Sequence, residues 1–416
     1  MSQAKPFEIS KHAVFDAWRQ VKANRGAHGV DEQTITEFEG DLKSNLYRLW
    51  NRLSSGSYFP PPIRGVEIPK KDGKFRQLGV PTVADRIAQT IVRNRFETLV
   101  EPHFHPDSYA YRKGKSAIDA IRVTRQRCWK YSWVLEFDVQ GAFDNIDHEL
   151  MLKAVRHHTQ CRWTLLYIER WLKAPLVRKD GSTVERDRGT PQGGVISPVL
   201  FNLYLHYTFD LWMKRHFPHI PFARYADDGL LHCNSQEEAA HLQEVVGERL
   251  RTCGLDLHPK KTKIVYCRDA NRRGKYPNIQ FEFLGYVFRG RLAKSRNGKY
   301  FNSFSPAVSR TSAKHIRQRM SQWNIGRWTN AELEDIARKS NASLRGWWNY
   351  FGVFYPSSLK RVMAHLNEVL VKWAVRKYKR FKGSKRKARK WLRGISEREP
   401  NLLYHWQLGI LPAVEQ

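Results

Sequence analysis

The stretch Arg224-Tyr225-Ala226-Asp227-Asp228-Gly229-Leu230, reading RYADDGL, sets two carboxylates side by side in an apolar neighbourhood. With FA before it and LH after it, the segment reads as two short strands with the acids at their tip. Taken alone, such a pair is as readily a solvated turn as a site. The distinction comes from WVLEFDV, Trp133 to Val139, a second apolar strand that ends in an acid, Asp138. If the two elements are neighbours in one sheet, Asp138, Asp227 and Asp228 converge at its edge. Clustered carboxylates hold their protons well above the usual range unless a cation neutralises them. Hard oxygen donors with open positions suit Mg²⁺, which usually keeps substrate phosphates in its shell. Two such ions about 4 Å apart would activate an attacking hydroxyl and stabilise a leaving pyrophosphate. The reaction class that follows is nucleotidyl transfer.

The rest of the chain is strongly basic. Lys and Arg number 72 against 40 Asp and Glu in 416 residues, a net charge of +32. An excess of that size favours a polyanionic partner, with nucleic acid first. Hydrophobic residues make up 41%, enough for a folded protein of two to four structural units. The five cysteines are scattered, without a CxxC pair, which points to a reducing compartment and away from disulfide or Cys-rich zinc scaffolds. The 16 histidines form no HExxH, and His103/His105 and His157/His158 read as surface or core residues. No run of 18 apolar residues and no apolar leader appears, so no membrane role and a cytoplasmic location are expected.

Along the chain, helical patterns over 7–55 surround the break RGAHGVD at 25–31. A short strand from Gly65 to Pro69 meets KKDGK at 70–74, where Asp-Gly suits a tight hairpin. Residues 82–101 carry apolar positions at helical spacing. Ser197-Pro198 opens a long helix, and Ser235 to Cys253 forms another. Strands are expected at Lys263 to Cys267 and Phe281 to Phe288, followed from about Ser305 by long helical patterns rich in Trp, Lys and Arg. The order is β-α-β-β-α-β-like.

YADD at 225–228 matches the YxDD signature of reverse transcriptases, and the other blocks occur in that family's order. VEIPKKDGKFRQLGVPTVADRIAQ (66–89) resembles the first two, LEFDVQGAFDNIDHELM (135–151) the third and RGTPQGGVISPVLFNLYLH (188–206) the fourth. GLDLHPKKTKIVYC (254–267) and FEFLGYVF (281–288) follow. NRGAHGVDEQTITEF (24–38) resembles the additional N-terminal block of group II intron reverse transcriptases, and ASLRGWWNYFGVFY (342–355) their maturase or thumb signature. Proteins of that kind often end in an HNH endonuclease with paired cysteines. No cysteine follows Cys267, so the endonuclease-lacking type is expected, with a nascent strand at a replication fork as a primer source.

The resemblance implies an α+β fold: a right-hand polymerase with fingers and palm, an antiparallel sheet with helices, then a helical thumb and a basic C-terminal region. Residues 1–65 are the N-terminal extension of the fingers, 66–300 fingers and palm, 301–375 thumb or maturase domain, and 376–416 the basic DNA- or RNA-binding region. Asp138 and Asp227 are the expected direct metal ligands, with a less direct part for Asp228, and Mn²⁺ is the alternative to two Mg²⁺ ions. Asp144 reads as a loop acid and Asp147 as a helix N-cap.

Lys70 and Arg76 match positions that contact the incoming triphosphate, where a point charge and a guanidinium fork offset charge on the leaving phosphates. Lys71 and Lys74 compete with Lys70 for that assignment. Phe143 matches an aromatic that crowds the sugar 2′ position and so favours deoxynucleotides; a core Phe is the alternative. Gln192 in GTPQGG matches a residue near the incoming nucleotide, and Gly193 and Gly194 would let backbone approach it closely. Tyr225 belongs to the signature, and Ala226 is small enough for close approach of a nucleotide or primer end. Lys261 matches a lysine that would give a proton to pyrophosphate, and Phe283-Leu284-Gly285 resembles the primer grip.

From Arg376 to Arg393 there are eleven Lys or Arg in eighteen residues and no acid. Arg376, Lys377, Lys379, Arg380, Lys385, Arg386 and Lys387 are expected to bind phosphates, while the interleaved Tyr378, Phe381 and Trp391 stack on bases. A solvated flexible tail is the competing reading. Trp347, Trp348, Tyr350 and Phe351 read as helix-packing core.

The expected function is RNA-templated extension of a DNA primer with deoxynucleoside triphosphates. Binding of the parent group II intron RNA, assistance to its splicing, and target-DNA binding that keeps the protein at the nucleoid are expected beside it. A splicing factor without catalysis, and a reverse transcriptase outside introns with a defence or repair role, are the rivals.

Overall fold

A computed structural model describes residues 5–69, 73, 75–295 and 297–413. The chain divides into two compact units: Met1–Ala120 with Leu135–Lys263, and Ile121–Val134 with Ile264–Gln416. The expected mixture of helix and sheet is present in both.

In the first unit, β1 (Ile63–Pro69) and β2 (Phe75–Val80) pair antiparallel, with Ile68 opposite Arg76. Beside them lie β4 (Leu176–Val177), parallel to β1, and β5 (Thr183–Val184), antiparallel to β4. A second sheet has the order β6 (Phe222–Tyr225), β7 (Asp228–Cys233), β3 (Trp133–Gln140), β8 (Asp256–Leu257), so the two acid-bearing elements are neighbours. The helix Val83–Val100 is capped by the Thr82 hydroxyl and places Ile87, Val92 and Phe96 in the core. The helix opened by Ser197-Pro198 is not continuous. It passes through a π turn, His206–Asp210, before resuming at Leu211–His216.

The strand expected at 263–267 is β9 (Lys263–Tyr266), and two other departures from the expected elements lie in the second unit. The run FEFLGYVF is not one strand. Leu284 (φ 51°) and Gly285 (φ 79°) turn the chain between β10 (Gln280–Phe283) and β11 (Tyr286–Lys294). The helical pattern placed from Ser305 begins at Arg310, because β12 (Tyr300–Val308) pairs antiparallel along the whole of β11. Helices Arg310–Gln322, Leu333–Phe351, Pro356–Met363, His365–Lys377 and Lys385–Arg398 follow, around Leu344, Met363, Leu370, Trp373 and Leu392. Trp347, Trp348 and Phe351 pack against this core, as expected of them.

Candidate active site

Within RYADDG, Arg224, Ala226 and Gly229 each have a separate structural task. β6 and β7 form an antiparallel hairpin in which Tyr225 pairs with Asp228, leaving Ala226 and Asp227 at the tip. Ala226 has φ 56°, a left-handed conformation that costs a non-glycine residue about 1 kcal/mol. Arg224 offsets this by donating from Nη1 to the Ala226 carbonyl at 3.1 Å. The same guanidinium is buried and grips Asp210 twice, at 2.7 and 2.6 Å, while also donating to the Ser108 hydroxyl at 2.8 Å. Asp210 closes the π turn, so that irregular helix ends on the acid that anchors the hairpin. Gly229 has no room for a side chain: a Cβ would lie 2.1 Å from the Phe137 ring. The close approach lets the Val139 amide donate to the Asp227 carbonyl at 3.2 Å, tying the tip to β3.

This framework brings Asp138, Asp227 and Asp228 together. Asp228 is pushed up to about 7, first by burial and then by the charges of Asp227 and Asp138. Asp227 is also raised, again chiefly by burial, with Asp138 adding to it and Arg76 and Lys261 opposing. The Lys261 ammonium donates to both oxygens of Asp138 at 3.0 Å. Its position follows from a turn in which the His258 amide donates to the Asp138 carbonyl at 2.7 Å and the Lys261 amide to the His258 carbonyl at 3.1 Å. In chemical kind the donors fit a divalent cation: hard oxygens crowded until one carboxyl keeps its proton near neutral pH. In arrangement, no group of three or more acidic, His or Cys side chains among the described residues is set to hold an ion, and Lys261 engages Asp138.

The substrate-side residues are placed unequally. Arg76 is exposed on β2, and its charge acts on Asp227 and on the Tyr111 phenol. Tyr111 drew no attention in the sequence, yet it stands at φ 58° with its phenol raised by burial and then by Asp227. Lys70, and with it Lys71 and Lys74, lies outside the described residues. Phe143 is half-buried and stacks on the core ring of Phe201 at 4.0 Å and 3°. The Gln192 amide donates to the Asp144 carboxylate at 3.3 and 3.4 Å, which brings an acid read as an incidental loop residue to a predicted site side chain. Asp147 caps the helix His148–His158, as expected. What Gly193 approaches is its own chain: at φ 117° its Cβ would be 2.4 Å from the Gly79 carbonyl oxygen.

The basic end departs from the competing reading of a solvated tail. It is no flexible tail, since Lys385–Arg398 is a helix with Ala388 and Leu392 buried. The aromatics are engaged with one another: Tyr378 and Phe381 meet Trp391 at 4.9 and 5.3 Å, and Phe381 is buried. Arg380 lies 4.8 Å over Phe381. Lys377 donates to the Ala331 carbonyl at 2.7 Å and pairs with Glu332 at 2.6 Å, and Arg376 donates to the Gly326 carbonyl at 3.3 Å. Lys379, Lys385, Arg386 and Lys387 are exposed.

Residues 68–288 match the reverse transcriptase (RNA-dependent DNA polymerase) family, and residues 313–391 match the group II intron maturase-specific domain. Protein YkfC of Escherichia coli (strain K12) is 31% identical over 322 residues, covering 68% of this chain and 80% of that protein. The group II intron-encoded protein LtrA of Lactococcus lactis subsp. cremoris is 29% identical over 257 residues, 60% of this chain and 42% of LtrA. A putative COX1/OXI3 intron 1 protein of Saccharomyces cerevisiae is 24% identical over 420 residues, 85% of this chain and 50% of the yeast protein. The matches thus span half or less of the last two relatives. Among the described residues no helix is long and apolar enough to cross a membrane.

Proposed function

Because the chain belongs to the reverse transcriptase family and carries a group II intron maturase-specific domain, we propose that it copies an RNA template by extending a DNA primer 3′-hydroxyl with deoxynucleoside triphosphates. The observation that carries this reading is the crowding of Asp138, Asp227 and Asp228 at one sheet edge, with Arg76 and Lys261 as the opposing charges. Asp138 and Asp227 would hold divalent cations, Mg²⁺ in the first instance with Mn²⁺ as the alternative, and Asp228 would support them. When bound, such ions lower the pKa of the attacking hydroxyl and offset charge on the leaving pyrophosphate.

The protein's own residues do the remainder. Lys261 would release Asp138 and donate a proton toward the leaving pyrophosphate. Arg76, together with Lys70, would bind the triphosphate. Phe143, held against Phe201, would crowd the sugar 2′ position. Gln192, Tyr225 and Ala226 would line the nucleotide. On this reading residues 66–300 form fingers and palm behind an N-terminal extension, 301–375 the thumb, and 376–416 a basic nucleic-acid-binding region. Intron RNA, the template–primer duplex and target DNA would be bound through exposed cations such as Arg386 and Lys387, and DNA binding would keep the protein at the nucleoid.

Primer extension on an RNA template, wild type against Asp227→Ala, tests the chemistry. Failure of the wild type to incorporate deoxynucleotides while still binding intron RNA would sink it. The second reading, a splicing factor without catalysis, is favoured by the maturase-domain match and would then stand. For the basic region, Arg386→Ala should lower the slope of log affinity for RNA against log salt by about 0.7 to 0.9, one phosphate contact. Lys377→Ala should leave that slope unchanged, because Glu332 already takes its charge.

A further inference from the structure

The helix Val83–Val100 contributes a chain of buried polar contacts that ends on the Gln192 loop. Asp85 is 0% exposed. Its Oδ1 accepts from the Tyr58 hydroxyl at 2.8 Å and the Trp171 indole at 2.7 Å, and its Oδ2 accepts from Gln89 Nε2 at 2.9 Å. Gln89 is 1% exposed, and its Oε1 accepts from the Val195 amide at 2.7 Å and the Ile196 amide at 3.3 Å. Those two amides close the loop that begins at Gly189 and open the helix Ser197–Leu205.

The direction of this chain is fixed by chemistry. Backbone N–H groups can only donate, so the Gln89 atom facing Val195 and Ile196 must be oxygen. The amide nitrogen is thereby turned toward residue 85, where an ionised carboxylate, which can only accept, receives it. A buried donor facing a donor would cost far more than the contact is worth. The far side of the same loop is held by the Gly79 amide, which donates to the Gln192 carbonyl at 2.7 Å.

We propose that Asp85 and Gln89 are positioning residues of the polymerase site, forming a one-way hydrogen-bond relay that sets the Gly189–Ile196 loop and, through it, Gln192 against the incoming deoxynucleotide. The proposal rests on the polymerase reading above for its substrate, and on the contacts alone for the loop. Neither residue touches the substrate.

The relay predicts a specific rescue. Asp85→Asn keeps an oxygen for Tyr58 and Trp171 but offers an amide to Gln89. Gln89 must then turn its oxygen inward and present its amide nitrogen to the two loop N–H groups. Asp85→Asn/Gln89→Glu restores the order, because a carboxylate at position 89 accepts from the new amide at position 85 on one side and from the loop on the other.

Two readouts separate the relay from its premise. Amide hydrogen exchange of the peptide spanning residues 193–197, in the full chain without substrate, should speed up about tenfold in Asp85→Asn and return to the wild-type rate in the double variant. The Michaelis constant for deoxynucleotide should rise by about tenfold and return in the same pattern, with affinity for the template–primer duplex unmoved. Wild-type exchange in Asp85→Asn overturns the relay, as does a double variant that stays as fast as the single one. If Asp85→Asn fails to fold, the double variant still decides: wild-type exchange upholds the relay, and unfolding or fast exchange overturns it. If the wild-type chain incorporates no deoxynucleotide, the polymerase reading falls and the exchange result stands by itself.

Discussion

Two buried carboxylate sites of the first unit meet the same desolvation problem in opposite ways. Asp85 is fully enclosed but faces three matched donors, Tyr58, Trp171 and Gln89, and burial raises it only to about 6. Asp227 and Asp228 are less enclosed, yet they face each other and Asp138, and Asp228 is pushed up to about 7. The first arrangement is complete within the chain. In the second the carboxylates face one another as well as Arg76 and Lys261, so their mutual repulsion is only partly offset within the chain. Removing an acid should therefore harm function at one place and structure at the other.

The largest expected effect breaks the symmetry between them. Asp227→Ala should lower deoxynucleotide incorporation by about 10³-fold or more, while the melting temperature holds or rises because a repulsive charge has gone. Asp85→Ala should do the reverse in thermodynamic terms. It strands three buried donors and should cost about 3 kcal/mol in denaturant unfolding, with incorporation lost only as the folded population falls and the loop loosens.

A titration sharpens the contrast. Asp85 rises on folding from an ordinary 3.8 to about 6, so between those values the native state binds more protons than the unfolded chain. Stability contributed by its protonated form is full below about pH 4 and is lost as pH climbs toward 6. The stability difference between wild type and Asp85→Asn should accordingly move against the wild type across that window and flatten above it, as read by chemical denaturation at a series of pH values. The smallest effect belongs to Lys261→Ala. The lysine side chain is 58% exposed, so losing its pair with Asp138 should change stability by less than about 1 kcal/mol. Deoxynucleotide incorporation should nevertheless fall, since the proton proposed for the leaving pyrophosphate is gone.

Much of the candidate site was legible because its signals are local. Two short strands around adjacent acids, and an apolar strand ending in Asp138, carry their own periodicity, and the sheet places them side by side. Arg224 was within reach of the same reasoning, since an arginine inside an apolar strand requires a buried partner. Its partner Asp210 was hidden by a π turn that no helical spacing announces. The Asp85–Gln89 chain was hidden for a related reason: both residues sit on a helix read for its apolar positions, and hydrogen-bond direction leaves no trace in periodicity. In the second unit, β12 escaped because Pro306 falls inside it, a residue that argues against a strand unless the ladder tolerates it. The turn at Leu284-Gly285 was signalled by its glycine and masked by the apolar run on either side.

The Cβ vacancy at Gly229 has a consequence for anyone diversifying this site. Of the six residues in RYADDG, Arg224 is committed to Asp210, Ala226 to a left-handed tip, the two acids to charge and Gly229 to the Phe137 ring. Only Tyr225 is both half-exposed and free of such a commitment in its side chain. A combinatorial library through this hairpin is thus effectively a one-position library, and on the polymerase reading proposed above a wider search for altered nucleotide choice would run through Phe143 and Gln192.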